Sequence, residues 1–421
     1  MYKKTLLSNG LRIVTVPQPE NMATTVLVMV EAGSKYEQKE INGLSHFLEH
    51  MCFKGTTNRP NSMLISGELD GLGAHYNAFT SHEWTGYFAK VEKQHAEQAI
   101  DLISDLYLNP VFDKAEIEKE KGVIIEELNM YEDMPQRKIG DIFLHLLYGD
   151  QPAGWDVGGE KDIIRILTKE DFVAYRAKHY LPQATTVVVA GAFDEVAVLT
   201  QLENLFGKMP VGEKGDKLKV IEKQSKPEIF IKHKESDQTH LMIGFRAFSM
   251  FDERRYALEV LADILGGGMS SRLFHKVREE LGAAYYVNAG ADLYTDHGYI
   301  AAGAGDEHSK LEIVIKAILA EFKRLVDEPV SAEELKRAKS HLSGTTVLGL
   351  ETSDSLAIFY GVSEVLRKNP VPPADLLKKI DAVTAEQIQA LAKELFKLET
   401  LNLAMIGPKK DEGEICSLLQ F

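Results

Sequence analysis

An internal repeat limits what this chain can fold into more than any other feature of its sequence. Thr168 begins a helical pattern that leads to a valine-rich strand ending at Gly191, and Thr384 begins a similar pattern that ends at Gly407. The offset is 216 positions at both the threonines and the glycines, so the match needs no gap. A chain of 421 residues that repeats in this way is expected to form two similar domains.

The order of predicted elements is also the same in both halves. Pro110 and Pro329 are 219 positions apart, and each precedes a long charged helix. Strands and helices alternate in runs that predict an α+β fold, with an antiparallel-rich sheet packed against helices in each domain. The stretch 211–227 is rich in Lys, Glu and Gly, which is typical of a linker, so we expect domains at 1–210 and 228–421.

Charge and composition exclude several classes of protein. The chain has 48 Lys and Arg against 63 Asp and Glu, a formal charge of −15, which argues against nucleic-acid binding. The acidic balance leaves room for a basic peptide as substrate, although solubility alone is the commoner reason for it. No apolar stretch has the length of a membrane span or of a signal-peptide core, so we expect a cytoplasmic protein without a membrane segment.

The most specific motif is a His-x-x-Glu-His pattern formed by His46, Glu49 and His50. Two histidines four positions apart share one face of a helix, where both imidazoles can bind one Zn²⁺. Glu49 borders that face and can take a proton from a zinc-bound water without being a ligand itself. The alternative is an amphipathic helix whose histidines are surface groups or hydrogen-bonded core groups.

A catalytic zinc needs a third protein ligand, and the helix around 116–131 offers candidates. The apolar run 122–125 directs the following turn toward a core, where a buried carboxylate needs a cation as partner. That turn carries both Glu126 and Glu127. Glu120 and Glu127 are seven positions apart, or two helical turns, so they share a face.

The segments 43–56 and 122–135 resemble the two metal-binding helices of the pitrilysin-type inverzincin metallopeptidases. The resemblance covers the whole chain, including the repeat, and is to the short two-domain form that includes the catalytic subunit of mitochondrial processing peptidase and its bacterial homologues. It implies that Glu127, rather than Glu126, is the third ligand and that Glu120 is a supporting acid. One Zn²⁺ per chain would then be held by His46, His50 and Glu127.

The same resemblance implies residues that contact the substrate. Asn77, Ala78, Phe79 and Thr80 match the edge strand on which these peptidases bind an extended peptide, through unpaired backbone groups. Arg278 and Tyr285 match an Arg and a Tyr that reach the substrate at the zinc site, where they can hold a carbonyl and donate to an oxyanion. The second half has no His-x-x-Glu-His, so it is expected to bind substrate and not metal.

These observations together predict a zinc-dependent endopeptidase that cleaves extended or unfolded peptides by attack of a zinc-bound water, which Glu49 activates. One alternative is a non-catalytic scaffold or partner subunit of a two-chain peptidase. Another is a zinc hydrolase whose small substrate enters a closed pocket. Family members enclose a chamber with four domains, so the resemblance implies a homodimer of this two-domain chain, or a heterodimer with a related subunit.

Overall fold

The structure, a computed structural model, describes residues 2–409 and 411–420. Its strands are β1 (Lys3–Leu6), β2 (Arg12–Pro17), β3 (Ala23–Val30), β4 (His75–Thr80), β5 (Thr85–Glu92), β6 (Thr185–Gly191), β7 (Glu228–His233), β8 (Thr239–Ala247), β9 (Ala284–Leu293), β10 (Gly298–Asp306) and β11 (Leu401–Gly407). Its helices are α1 (Leu44–Cys52), α2 (Ser62–Gly71), α3 (Ala96–Leu108), α4 (Lys114–Glu132), α5 (Pro135–Tyr148), α6 (Lys161–Ile166), α7 (Lys169–His179), α8 (Glu195–Phe206), α9 (Arg255–Gly266), α10 (Leu311–Asp327), α11 (Ala332–Gly349), α12 (Ser353–Arg367), α13 (Pro373–Asp381), α14 (Ala385–Leu395) and α15 (Glu412–Leu418). A π-helical segment spans Phe274–Glu280.

These elements form two compact units, each built from three separate segments of the chain. The first unit comprises the residues up to Asn129, Trp155–Leu218 and Val347–Pro372. The second comprises Met130–Gly154, Lys219–Thr346 and the residues from Pro373 onward. Each unit contains one sheet and its covering helices, which confirms the predicted α+β fold.

The sheet of the first unit has the strand order β1-β2-β6-β3-β5-β4. Neighbouring strands are antiparallel except for β2 and β6, which are parallel. The central strand β6 is a continuous apolar run and is buried along its whole length, because helices cover both faces of the sheet. Val187 and Val189 face the main core, which includes apolar residues of α1, α3 and α7, whereas Val188 lies close to Gly361 of α12.

The sheet of the second unit has the order β7-β11-β8-β10-β9, in which only β7 and β11 are parallel. Helices α9, α10 and α14 bury one face of this sheet in the core of the unit. The other face is partly covered by α5, which packs Ile139 and Phe143 against Tyr299 and Ile406.

The two helices α5 and α12 are exchanged between the halves of the sequence. Helix α5 follows the metal-binding motifs in the chain but belongs to the second unit, and α12 comes from the C-terminal half but belongs to the first. The compact units therefore differ from the continuous stretches 1–210 and 228–421 expected from the repeat. The reason is that each sheet has a second apolar face, which is covered by a helix from the other half.

Two further expectations concern the connecting stretch and the membrane. Residues 211–224 contain neither helix nor strand, and the boundary between the units falls within them, after Leu218. Within the described ranges, none of the helices combines the length and the apolar character that crossing a membrane requires.

Candidate metal centre

Helix α1, which carries the His-x-x-Glu-His motif, begins at a sharply constrained turn. Gly43 has φ of +94°, and a β-carbon there would lie 2.7 Å from the Gly158 carbonyl oxygen, so no other residue fits without strain. The buried Glu37 carboxylate accepts hydrogen bonds from the backbone N–H groups of Gly43 (2.8 Å) and Ser45 (2.6 Å). These contacts satisfy free N–H groups at the helix start and fix the direction in which α1 leaves the turn.

The two faces of α1 have opposite roles. Phe47, Leu48 and Met51 are buried in the core of the first unit, which prevents the helix from rotating. His46 and His50 are on the opposite face and remain partly exposed, with their ring centroids 4.7 Å apart. The i,i+4 spacing thus gives the shared face that was predicted from the sequence.

Helix α4 supplies the acidic side of the site. Ile117, Ile124 and Leu128 are buried in the core and anchor this otherwise charged helix. Within the apolar run 122–125, Ile124 is the residue buried in the core, whereas Val123 is 52% exposed. Glu127 faces α1, whereas Glu126 is exposed to solvent.

Among the described residues, one group of three potential metal ligands comes together, and it consists of His46, His50 and Glu127. Oε2 of Glu127 lies 3.8 Å from Nε2 of His46 and 3.5 Å from Nε2 of His50. Zn–N and Zn–O bonds of about 2.0–2.1 Å in a tetrahedral site place neighbouring ligand atoms about 3.3 Å apart. Both the spacing and the His–His–Glu donor set therefore fit a zinc ion with one position left for water or substrate.

Glu120 orients one of these histidines. Its Oε1 is 2.9 Å from Nδ1 of His50, and its Oε2 is 2.6 Å from Nζ of Lys54. Burial opposes ionisation of Glu120, but the bonds to His50 and Lys54 outweigh it and lower the pKa of the carboxyl. Burial also opposes the charged form of His50, which lowers its pKa, but the bond to Glu120 and the surrounding carboxylates outweigh burial and raise the pKa of His50 overall. With Nδ1 bonded to Glu120, Nε2 of His50 is left free to face Glu127.

Glu49 lies beside the ligands but is held by a different partner. The Thr80 hydroxyl donates a hydrogen bond of 2.6 Å to Oε2 of Glu49. Burial raises the pKa of Glu49, and the Thr80 bond offsets only part of that shift. A carboxylate whose pKa is moved toward neutrality is suited to exchange protons with a reacting group.

The structure places the expected substrate strand at an edge. Strand β4 pairs with β5 on one side and is the last strand of the sheet, so its other side is open in the described part of the chain. Within it, the Ala78 N–H donates to Oδ1 of Asn77, and the Phe79 ring packs against Trp84. Thr80 ends the strand at Glu49. Substrate binding by these four residues stays a prediction.

Arg278 and Tyr285 belong to the second unit, whereas the metal-binding cluster belongs to the first. The Arg278 guanidinium lies 5.9 Å from the centre of the Tyr285 ring, and Tyr285 is 75% exposed. The structure therefore brings these two residues together on the surface of their unit. Helix α9, which the repeat makes equivalent to α1, contains no histidine.

Sequence reasoning missed two features of the site. Lys54 lies in the matched segment 43–56, two residues beyond the end of α1, and its ion pair with Glu120 joins residues 66 positions apart. Thr80 was predicted to bind substrate through its backbone, whereas its hydroxyl contacts Glu49. That contact joins residues 31 positions apart and has no local signature.

Two similar α+β units, of which the first carries a His–His–Glu cluster, are the features of a two-domain metallopeptidase fold. Residues 12–157 match the family model described as insulinase (peptidase family M16), and residues 167–342 match the one described as the peptidase M16 inactive domain. The chain is 34% identical to the uncharacterized zinc protease YmxG of Bacillus subtilis, over 97% of this chain and 98% of that one. It is 35% identical to an uncharacterized zinc protease of Rickettsia felis over the same shares. The chain belongs to the M16 peptidase family.

Solved structures show the same fold. A protease from Helicobacter pylori superposes with a TM-score of 0.91 at 22% identity, covering 97% of this chain and 99% of that one. A peptidase M16 inactive domain from Pseudomonas fluorescens gives a TM-score of 0.88 at 19% identity, covering 97% and 98%. The likeness extends over both units.

Proposed function

We propose that this chain is a zinc-dependent endopeptidase that cleaves extended or unfolded peptides. The observation that carries the proposal is the separation of two carboxylates at one site. Glu127 faces the two histidines within ligand distance, whereas Glu49 is not one of the three grouped ligands and accepts a hydrogen bond from Thr80. A hydrolytic zinc site needs both a third ligand and a separate base, and here each role has its own residue.

The chemistry divides between the metal and the side chains. When bound to His46, His50 and Glu127, Zn²⁺ would act as a Lewis acid that polarises a peptide carbonyl and makes water a better nucleophile at neutral pH. Glu49 then accepts a proton from the attacking water and passes it to the nitrogen of the leaving amine. Thr80 keeps the Glu49 carboxylate in one orientation throughout.

The open edge of β4 supports an extended substrate. An edge strand offers its unpaired N–H and C=O groups to a peptide that lies alongside it, and such binding selects backbone conformation more than sequence. Because β4 ends at Thr80, a peptide aligned on this strand brings its backbone next to Glu49. A segment already folded into its own secondary structure has no free edge for this pairing.

A non-catalytic partner subunit is the alternative. The match to the inactive-domain description is confined to residues 167–342, which contain none of the candidate ligands and not Glu49. The candidate ligands and Glu49 all lie in residues 12–157, the part that matches the insulinase description. The positions of the two family matches and of the candidate ligands favour an active first unit joined to a second unit without metal.

The test is cleavage of unstructured fluorogenic peptides by the purified full-length chain. We expect turnover with zinc, loss of turnover with chelator, and recovery when zinc is added back. Glu49→Gln should keep the metal yet lose turnover by a factor of about 10² to 10⁴. Glu126→Gln, which changes the neighbouring exposed carboxylate of α4, is the matched control. Metal-bound protein that cleaves no peptide, alone or with added zinc, would support the partner-subunit alternative.

The proposal includes a homodimer as the working form. The chain carries a full set of metal-binding side chains and also the Arg278–Tyr285 pair, so two copies need no further subunit. If Arg278 acts across the dimer, mixing inactive Glu49→Gln with inactive Arg278→Ala chains should restore part of the activity, because one site in each mixed dimer is intact. A monomer that cleaves at full rate, or activity only after a different protein is added, would contradict the homodimer.

A further inference from the structure

The second unit has a cavity on the face of its sheet that the proposed mechanism does not use. It lies over β9 and β10, beside the part of the sheet that α5 covers, and has a volume of about 280 Å³. In the strand register, Asn288 lies opposite Gly303 and Gly290 lies opposite Ala301. Three of these four neighbouring positions are Gly or Ala. The cavity occupies the space that larger side chains would fill.

The two glycines are not required by the backbone. Neither Gly290 nor Gly303 has a φ in the left-handed region, and both lie inside regular strands. A β-carbon at Gly290 would meet nothing within 4 Å, and one at Gly303 would lie 3.3 Å from Oδ1 of Asn288. Glycine inside a strand weakens it and commonly marks a place where a ligand approaches the backbone closely. The open space above Gly290 fits that explanation.

A tyrosine closes each end of the cavity, and both rings are fixed before any ligand arrives. The Tyr286 hydroxyl is hydrogen-bonded to Nδ1 of His240 at 3.0 Å. The Tyr299 hydroxyl donates to Oδ2 of Asp292, and its ring packs edge-on against Phe143 at 5.6 Å between centroids. Walls held in place in this way lose little conformational entropy on binding.

The remaining lining residues define the chemistry of an occupant. Met242 and Ile139 add apolar surface, and the amides of Asn288 and Gln136 add polar groups. None of the described residues that line the cavity is Lys or Arg, whereas Asp292 is an acid, so an anionic ligand is disfavoured. Two residue steps along a strand measure about 7 Å, which suits a flat six-membered ring lying on the glycine backbone.

We propose that this cavity binds an aromatic side chain that carries a hydrogen-bond donor, tyrosine or tryptophan, of a peptide. The ring lies over Gly290 and Gly303 between the two tyrosines, and the donor reaches Asn288 or Asp292. Offset and edge-on packing between rings favours this arrangement. The assignment of the ring to a peptide rests on the proposed function. The assignment of the cavity as a ring-binding site does not.

The experiment measures direct binding of N-acetyl-tyrosinamide by saturation-transfer NMR, with N-acetyl-alaninamide and N-acetyl-lysinamide as comparison probes. It uses the full-length chain with Glu49→Gln, so that turnover plays no part. We expect saturable binding of the tyrosine probe at millimolar concentration and much weaker binding of the other two. Gly290→Leu, which fills the cavity with a side chain, should weaken binding by about 10-fold or more, and Gly290→Val by less.

Gly344→Leu is the matched control, because Gly344 also has open space around its β-carbon position but lies on α11. Equal binding by the parent and Gly290→Leu chains, stronger binding of the lysine probe, or no saturable binding of the tyrosine probe would each overturn the proposal. Binding of the tyrosine probe, together with no peptide cleavage by the zinc-loaded parent chain, would leave the cavity assigned and remove the peptidase function. Peptide cleavage by the parent chain without binding of the probe would keep the peptidase function and overturn the assignment of the cavity.

Discussion

The Thr80 hydroxyl donates a 2.6 Å hydrogen bond to Oε2 of Glu49. This bond joins the last residue of the open edge strand to the carboxylate that we assign as the base. A peptide that pairs with β4 therefore contacts the same strand that holds Glu49 in place, so substrate alignment and base orientation depend on one element.

Thr80→Val removes this hydrogen bond while keeping the shape of the side chain. A hydrogen bond to a charged group contributes about 1.5–3 kcal/mol, so kcat should fall by about 10- to 100-fold. Bound zinc, measured by elemental analysis, should not change, because Thr80 touches no ligand. Thr200→Val, an exposed threonine on α8, should leave kcat as it is. An unchanged kcat in Thr80→Val would mean that Glu49 needs no orienting partner.

Glu127→Gln should lose most of its zinc, because a site with three protein ligands holds the metal poorly with two. Glu126→Gln differs by a single position and should keep it, since Glu126 points into solvent. Metal content after dialysis against a weak chelator separates the two variants. Retention of zinc by Glu127→Gln together with loss from Glu126→Gln would reverse the assignment.

Lys54→Met should weaken zinc binding by about 10- to 100-fold, the usual effect of removing a partner of a ligand. Without Lys54, the buried Glu120 loses the cation at 2.6 Å and is no longer held against His50. Lys54→Arg restores a cation and should recover most of the affinity. Lys119→Met, at an exposed position on α4, tests whether any lost lysine has the same effect. Competition with a fluorescent zinc chelator measures all three affinities.

The stability of the protein should fall in mild acid because of His179. This histidine is buried between Tyr36 and Tyr175, and burial, with Lys178 and Lys214 nearby, lowers its pKa to about 4. The unfolded chain binds a proton near pH 6.5 that the folded chain accepts only near pH 4. Stability is therefore complete above pH 6.5 and is lost as the pH falls toward 4, by about 2 kcal/mol at pH 5.

Urea unfolding at pH 7.5 and pH 5 tests this expectation. His179→Phe keeps the aromatic packing without the titrating group, so its loss of stability between the two pH values should be smaller than that of the parent chain by about 2 kcal/mol. His275→Phe, at an exposed position, should behave like the parent. Equal pH dependence in the parent and His179→Phe chains would show that this ring is not the cause.

The parts of the fold that follow from local spacing could be predicted from the sequence. The i,i+4 pair of His46 and His50 shares one helix face as expected. The position of β4 at the edge of its sheet is implied by the family resemblance and not by spacing. The choice between Glu126 and Glu127 could not be made from spacing alone, because both follow the same apolar run. It depends on the rotation of α4, which is fixed by the burial of Ile124 and Leu128.

The exchange of α5 and α12 could not be predicted from the repeat. The repeat reports which segments are similar, but it does not report which sheet a helix covers. Both helices bury apolar residues, and contacts distant in sequence decide which sheet each helix covers. One example is the contact of Gly361 with Met29 and Leu27, where a larger residue would meet the Met29 sulfur at 2.6 Å.

The exchanged helices have a consequence for either half of the chain taken alone. Pro135 and Ser353, the first residues of α5 and α12, are 218 positions apart, so the repeat makes these helices counterparts. A single half-length polypeptide would leave one face of its sheet without this helix unless it received the helix from another copy. Such a half would complete its sheet only by exchanging the helix with a partner, the arrangement known as domain swapping.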